Sequence, residues 1–129
     1  VDDDAKNRKI LETVLKPIGE TRTAEDGSEA LMAFRDAWQQ WRPFGLIMLD
    51  IMMPGMSGEE TLESVRELER DRKVEPEFHS KIVMVTADSD KETVTRCFQL
   101  GCNDFVAKPF DFETVYQKLA KLGVRPPDD

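Results

Sequence analysis

Two hydrophobic periods alternate along the chain. Ile10, Leu11, Val14, Leu15 and Ile18 recur at the three- and four-residue spacing of a helix with one apolar face. Residues 21–24 read as a short strand, polar enough for a sheet edge. Asp26-Gly27-Ser28 is a turn, and Ser28 is a candidate cap for a helix striped by Ala30, Leu31, Phe34, Ala37, Trp38 and Trp41. Pro43 and Gly45 end that helix, and residues 46–49 form a continuous apolar run that stops at Asp50, the pattern of a strand buried on both faces. Ser57 and Glu60 make a capping-box pair ahead of a helix striped by Leu62, Val65 and Leu68. The charged stretch from Glu69 to Ser80, broken by Pro76, reads as an extended helix end and a solvated loop. The longer stretch from Arg66 to Ser80 reads as a solvated charge run rather than a partner surface.

A second buried strand follows at residues 82–85 and ends at Thr86. Ser89 and Glu92 repeat the capping pattern, Val94, Cys97 and Phe98 stripe the next helix, and Gly101 stops it. Residues 105–107 form a short strand ending at Lys108. A last helix carries Phe112, Val115, Leu119 and Leu122, with Gly123 after it. Strands alternating with helices predict an α/β fold, a parallel sheet with helices on both faces. One domain is expected over residues 1–123, with 124–129 a tail or linker. A first strand is expected to run into Asp2-Asp3-Asp4, and only Val1 of it is present, so further residues upstream are expected.

Composition narrows the class. The 129 residues are 40% hydrophobic and 34% charged, ordinary for a globular domain. No apolar run approaches the roughly 18 residues of a membrane helix, and no leader peptide opens the sequence, so no membrane contact and a cytoplasmic location are expected. A net charge of −8 argues against direct nucleic-acid binding, which needs a basic surface. Cys97 and Cys102 read as two reduced thiols, and the lone His79 as a loop residue.

In sheets of this kind, ligands sit beyond the carboxyl ends of the strands. Asp2 and Asp3 follow the first strand, Asp50 the third, Thr86 the fourth and Lys108 the fifth. Carboxylates converging there repel one another unless a cation joins them, and an oxygen-only ligand set favours a hard ion such as Mg²⁺. A hydroxyl and an ammonium placed opposite suit a phosphoryl group. Each residue alone has a duller reading: Asp50 as a turn cap, Thr86 as a strand residue, Lys108 as a surface charge. Together, each ending a separate strand, they favour a carboxylate nucleophile with a metal and a phosphate clamp.

The segments Val1-Asp2-Asp3-Asp4, Ala24-Glu25-Asp26-Gly27-Ser28-Glu29-Ala30-Leu31, Leu49-Asp50-Ile51-Met52-Met53-Pro54-Gly55-Met56-Ser57-Gly58, Val85-Thr86-Ala87 and Lys108-Pro109-Phe110 resemble the signature of response-regulator receiver domains, over nearly the whole chain. The resemblance implies a flavodoxin-like, doubly wound five-stranded parallel sheet of order 2-1-3-4-5. It implies Asp50 as phosphoacceptor and Mg²⁺ held by Asp2, Asp3, Asp50 and the Met52 carbonyl. Thr86 and Lys108 would contact the phosphoryl oxygens, with the Met52 and Ala87 backbone. It also implies a cis peptide at Lys108-Pro109 and a switch formed by Thr86 and Phe105. Met52 and Asp88 would stand where dephosphorylation is tuned.

The implied partners are a sensor histidine kinase or histidine phosphotransfer protein, and a downstream output domain or protein. A homodimer through the fourth helix, fifth strand and fifth helix is a further expectation. The chain would catalyse its own phosphorylation and slow dephosphorylation, without being an enzyme for an external substrate. Phe105 lacks the hydroxyl of the commoner Tyr, so the implied switch works through packing, and a plain core Phe is its duller reading. Two other readings compete. An aspartyl-phosphate phosphohydrolase wants an acid/base carboxylate two residues after the nucleophile, where Met52 stands. A phosphorylation-silent adaptor of the same fold predicts a missing member of the acidic, Asp, Thr and Lys set, and none is missing.

Overall fold

A computed structural model describes residues 1–87 and 91–124. The uninterrupted apolar runs form parallel strands: β1 (Leu46–Asp50), β2 (Lys81–Thr86) and β3 (Asp104–Ala107). Their order is β1-β2-β3, with Asp50 opposite Val85 and Thr86 opposite Ala107. This register brings the three strands to an end along one edge. Five helices surround them: α1 (Ala5–Leu15), α2 (Gly27–Gln39), α3 (Gly58–Asp71), α4 (Lys91–Leu100) and α5 (Phe112–Lys121).

Strand side chains alternate between two cores, because successive Cβ atoms point to opposite faces. Leu49, Ile82 and Met84 pack with Leu31 and Phe34 of α2, Leu62 and Val65 of α3, and Cys97 of α4. Met48, Val83, Val85 and Val106 pack with Leu11 and Val14 of α1 and Val115 and Leu119 of α5. Both faces are covered, and each fully buried Leu or Phe contributes roughly 1.5–3 kcal/mol. Both thiols are buried and free, and burial pushes the Cys102 thiol up to about 12 and raises Cys97 as well.

Local signals set the helix ends. The Ser57–Glu60 capping box forms at the start of α3. Asp26, not Ser28, caps α2, accepting the Glu29 amide at 2.8 Å. Gly101 and Gly123 take the positive φ expected of helix stops. The Ser89 cap and Asp88 fall outside the described residues, as do residues 125–129.

Several expectations are corrected. Three strands form among the described residues, and the order 2-1-3-4-5 is not established by them. Residues 21–24 are not a strand, although Asp2 donates its amide to the Ala24 carbonyl. Residues 1–2 lie between that segment and β1, with the Val1 nitrogen donating to Met48 O and the Asp50 amide to Val1 O. One or two bonds on each side are too few for a ladder, and an apolar cleft of about 460 Å³, lined in part by Leu11, Phe34, Leu46 and Met48, runs between the two segments. Trp41 is not part of a helix face: α2 ends at Gln39, and Trp41 stands 84% exposed with φ 56°. Phe98 and Phe112 are also largely exposed despite their helical spacing.

The charged stretch after Val65 is not simply solvated. Arg66 and Glu69 are buried, and their 2.6 Å ion pair is extended on both sides. Arg66 also donates to the Gly101 carbonyl and to Asn103 Oδ1, while Glu69 Oε2 accepts the Ser80 amide. The network ties α3 to the entrances of β2 and β3. No helix among the described residues is long and apolar enough to cross a membrane.

Candidate functional site

The acidic and basic residues at the strand ends meet. Asp2, Asp3 and Asp50 each offer a carboxylate oxygen, and these oxygens all lie within 4.8 Å of one another. Asp2 and Asp50 are buried, whereas Asp3 is exposed. Lys108 reaches between the two buried acids, its Nζ 3.2 Å from Asp2 Oδ2 and 3.2 Å from Asp50 Oδ2. Asp50 Oδ1 accepts the Met52 amide at 3.2 Å. Both Asp50 oxygens therefore face a donor. Asp2 Oδ2 differs: it is buried, accepts no hydrogen bond of good geometry, and meets the Lys108 ammonium as an ion pair alone. A buried, under-satisfied carboxylate oxygen among three acids fits a hard cation better than an ammonium shared by two of them.

The electrostatics point the same way. Burial first, and then the Asp2 charge, raise the Asp50 carboxyl above the ordinary carboxylate value, with Lys108 pulling the other way. Burial pulls the Lys108 ammonium down, but its hydrogen bond to Asp50 and the negative charges of Asp50 and Asp2 outweigh this and leave it above its ordinary value. The groups so perturbed are the ones a nucleophile and a charge clamp require.

Thr86 ends β2 fully buried, and its carbonyl accepts the Lys108 amide at 2.7 Å. Ala87 follows it, exposed in a bend. The Lys108-Pro109 peptide is cis, as expected. Phe105 lies on β3, half-buried, edge-on to Phe98 at 6.4 Å and beneath Lys118 Nζ at 4.8 Å. It borders the first core without being enclosed by it.

Gly58 holds the acceptor turn. Its amide donates to Ile51 O, and α3 starts so close to β1 that a Cβ here would overlap the Asp50 carbonyl and come within 2.7 Å of Ile51 Cα. These are backbone atoms, which cannot rotate away. Gly58→Ala is expected to lower stability by about 1–3 kcal/mol, the range for overpacking, and to slow phosphoryl acceptance by displacing Asp50. Urea unfolding together with acetyl phosphate labelling checks it; wild-type values in both would show that the turn yields without cost.

One residue that the hydrophobic pattern passed over touches this site. Arg8, one turn into α1, donates from NH1 to the Asp2 carbonyl at 2.8 Å. Its signal was positional: side chains near a helix start lean back over the preceding turn.

Comparison with known proteins agrees with this geometry. Residues 1–120 match the family described as response regulator receiver domain. The chain is 33% identical to chemotaxis protein CheY of Pseudomonas aeruginosa over 127 residues, covering 97% of this chain and 94% of that protein. It is 33% identical to response regulator mcs4 of Schizosaccharomyces pombe, but spans 27% of that protein's length. Among solved structures, response regulator protein TrrA of Thermotoga maritima in complex with Mg(2+)-BeF superposes with a TM-score of 0.73 at 32% identity, over 94% of this chain and 93% of that one.

Proposed function

From the premise that this chain belongs to the response regulator receiver domain family, we propose that it takes a phosphoryl group onto Asp50 from a histidine kinase or histidine phosphotransfer protein. The observation that carries this reading is the cluster itself: three carboxylates within 4.8 Å, one with a buried and under-satisfied oxygen, and a lysine shared between two of them.

A carboxylate oxygen of Asp50 attacks phosphorus in line, an O–P bond forms, and the donor's P–N or P–O bond breaks, with the electron pair leaving on the donor. Asp2, Asp3, Asp50 and the Met52 carbonyl are the groups that would hold Mg²⁺. Bound there, the ion supplies positive charge against the transferring phosphoryl oxygens. Lys108, already against Asp50, follows the charge onto the phosphoryl group. The Met52 amide, which now bonds Asp50 Oδ1, is released to a phosphoryl oxygen, and Thr86 and the Ala87 amide serve the others. Water later cleaves the acyl phosphate and restores Asp50. The chain turns over no external substrate in this cycle.

Thr86, drawn toward the phosphoryl group, would free space for Phe105 to move inward, and the surface of α4, β3 and α5 would change with it. That surface is the one proposed to meet an output domain, an output protein or a second copy.

The test is intact mass after incubation with acetyl phosphate. A gain of one phosphoryl group that requires Mg²⁺ is expected. Folded wild-type chain that gains no mass under these conditions would overturn the reading in favour of a silent adaptor.

A further inference from the structure

We infer that Arg8 is a positioning residue for the cation, setting the backbone of Asp2 so that its carboxylate lies with those of Asp3 and Asp50. The inference rests on the reading of those three acids as a Mg²⁺ site.

Asp2 is held at nearly every polar atom. Its amide donates to Ala24 O at 3.1 Å, and its carbonyl accepts Arg8 NH1 at 2.8 Å. Its Oδ1 accepts the Asp4 amide at 2.9 Å. Oδ2 is left buried and without a hydrogen bond, on the side of Lys108 and the other acids. The Arg8 side chain joins separate parts of the chain. Its second nitrogen, NH2, lies 3.5 Å from Glu25 Oε1, so one guanidinium bridges α1, the loop ahead of α2 and the acidic turn. Only 17% of the Arg8 side chain is exposed, against 67% for Glu25. A planar fork spans two acceptors in a way a lysine ammonium does not.

Charge alone predicts the opposite effect. A guanidinium beside an acidic cluster repels a divalent cation, so Arg8 acting only through its charge would weaken metal binding, and its loss would tighten it. Acting through geometry, its loss frees the Asp2 carbonyl and lets the ligand turn. Partners that orient ligands typically change metal affinity by about 10–100-fold. The sign of the change therefore separates the two roles.

The experiment measures Mn²⁺ binding by water-proton relaxation, with Mg²⁺ as competitor, in wild type, Arg8→Ala and Arg8→Lys. The metal-free unfolding midpoint is recorded for each. Arg8→Ala is expected to bind Mg²⁺ about tenfold more weakly, and Arg8→Lys, which keeps the charge but loses the fork, about threefold. These losses are expected in folded protein and in excess of any change in the midpoint. Unchanged or tighter binding by folded Arg8→Ala would overturn the inference. Should Arg8→Ala not fold, Arg8→Lys decides: a threefold loss supports the positioning role and wild-type affinity overturns it. Wild type that binds neither ion would instead sink the Mg²⁺ reading itself.

Discussion

Replacing Asp50 with Asn is expected to abolish phosphoryl acceptance and, in the absence of Mg²⁺, to raise the unfolding midpoint. The first effect follows from chemistry, since a neutral amide is no nucleophile toward phosphorus. The second follows from burial. Asp50 is 4% exposed and shares its site with buried Asp2, and those two facts raise its carboxyl above the ordinary value against the pull of Lys108. A raised carboxyl means that the fold prefers the protonated form. Its contribution is most favourable below the unfolded value of 3.8 and is lost as pH rises through the folded value. At neutral pH the native state therefore carries an unfavourable charge that Asn removes, while Lys108 keeps Asp2 as its partner.

The stabilisation should disappear as pH approaches 3.8 from above, where wild-type Asp50 becomes neutral as well. Each kcal/mol gained would raise the midpoint of a domain this size by about 4 °C. Mg²⁺ should then stabilise wild type by mass action far more than the variant. Thermal scans at neutral and acid pH, each with and without Mg²⁺, read all of this at once. A variant no more stable than wild type at neutral pH in metal-free buffer would show that the cluster holds no such charge strain.

Glu69→Ala is expected to produce the largest loss of stability, about 3–5 kcal/mol, the usual cost of removing one partner of a buried ion pair. Glu69 has no exposed surface, and its two oxygens serve Arg66 NH1 at 2.6 Å and the Ser80 amide at 2.8 Å. Truncation leaves the buried Arg66 guanidinium without a counter-charge and the Ser80 amide without an acceptor. Arg66 keeps Gly101 O and Asn103 Oδ1, so the helix should stay tethered while the charge goes uncompensated. Against a typical total stability of about 5–15 kcal/mol, such a loss brings the fold close to its limit. Urea midpoints measure it. Glu69→Gln should fall between, and the double change Arg66→Met with Glu69→Leu should recover much of the loss, since apolar replacements of such pairs are often neutral or better. A loss below about 1 kcal/mol in Glu69→Ala would mark the pair as no stronger than a surface one.

This network was the least legible part of the chain. Arg66 and Glu69 stand among residues of the same kinds on a helix whose other face is solvated, and three-residue spacing does not say which charges turn inward. Arg66's partners Gly101 and Asn103 lie 35 and 37 residues further on, beyond any local pattern. The site was legible because its chemistry depends on residue type at strand ends. A buried run that stops at Asp50, another at Thr86 and a short strand that runs up to Lys108 announce both the sheet and the edge where the three meet.

Segment 21–24 forms no ladder with residues 1–2, which reach it through the Asp2 amide and Ala24 O. Helix caps were ambiguous where two capping residues stood close together. Asp26 prevailed over Ser28 because its carboxylate reaches the Glu29 amide. Exposed aromatics such as Phe112 follow the helical period but lie at the margin of the buried stripe, where spacing alone does not separate core from rim.

The placement of α2 also decides how this protein can be watched. Its first residue, Gly27, faces Met56 and Thr61 beside the acceptor turn, and the helix runs away from there for 13 residues, roughly 20 Å. Both tryptophans lie at the far end, Trp38 in the last turn and Trp41 in water just beyond it. Intrinsic emission thus reports the wrong pole of the molecule, silent about events at the carboxylates while responsive to unfolding. An optical reporter of the chemistry has to be introduced, and Met52 is the natural address: its side chain is 70% exposed and its amide already touches Asp50.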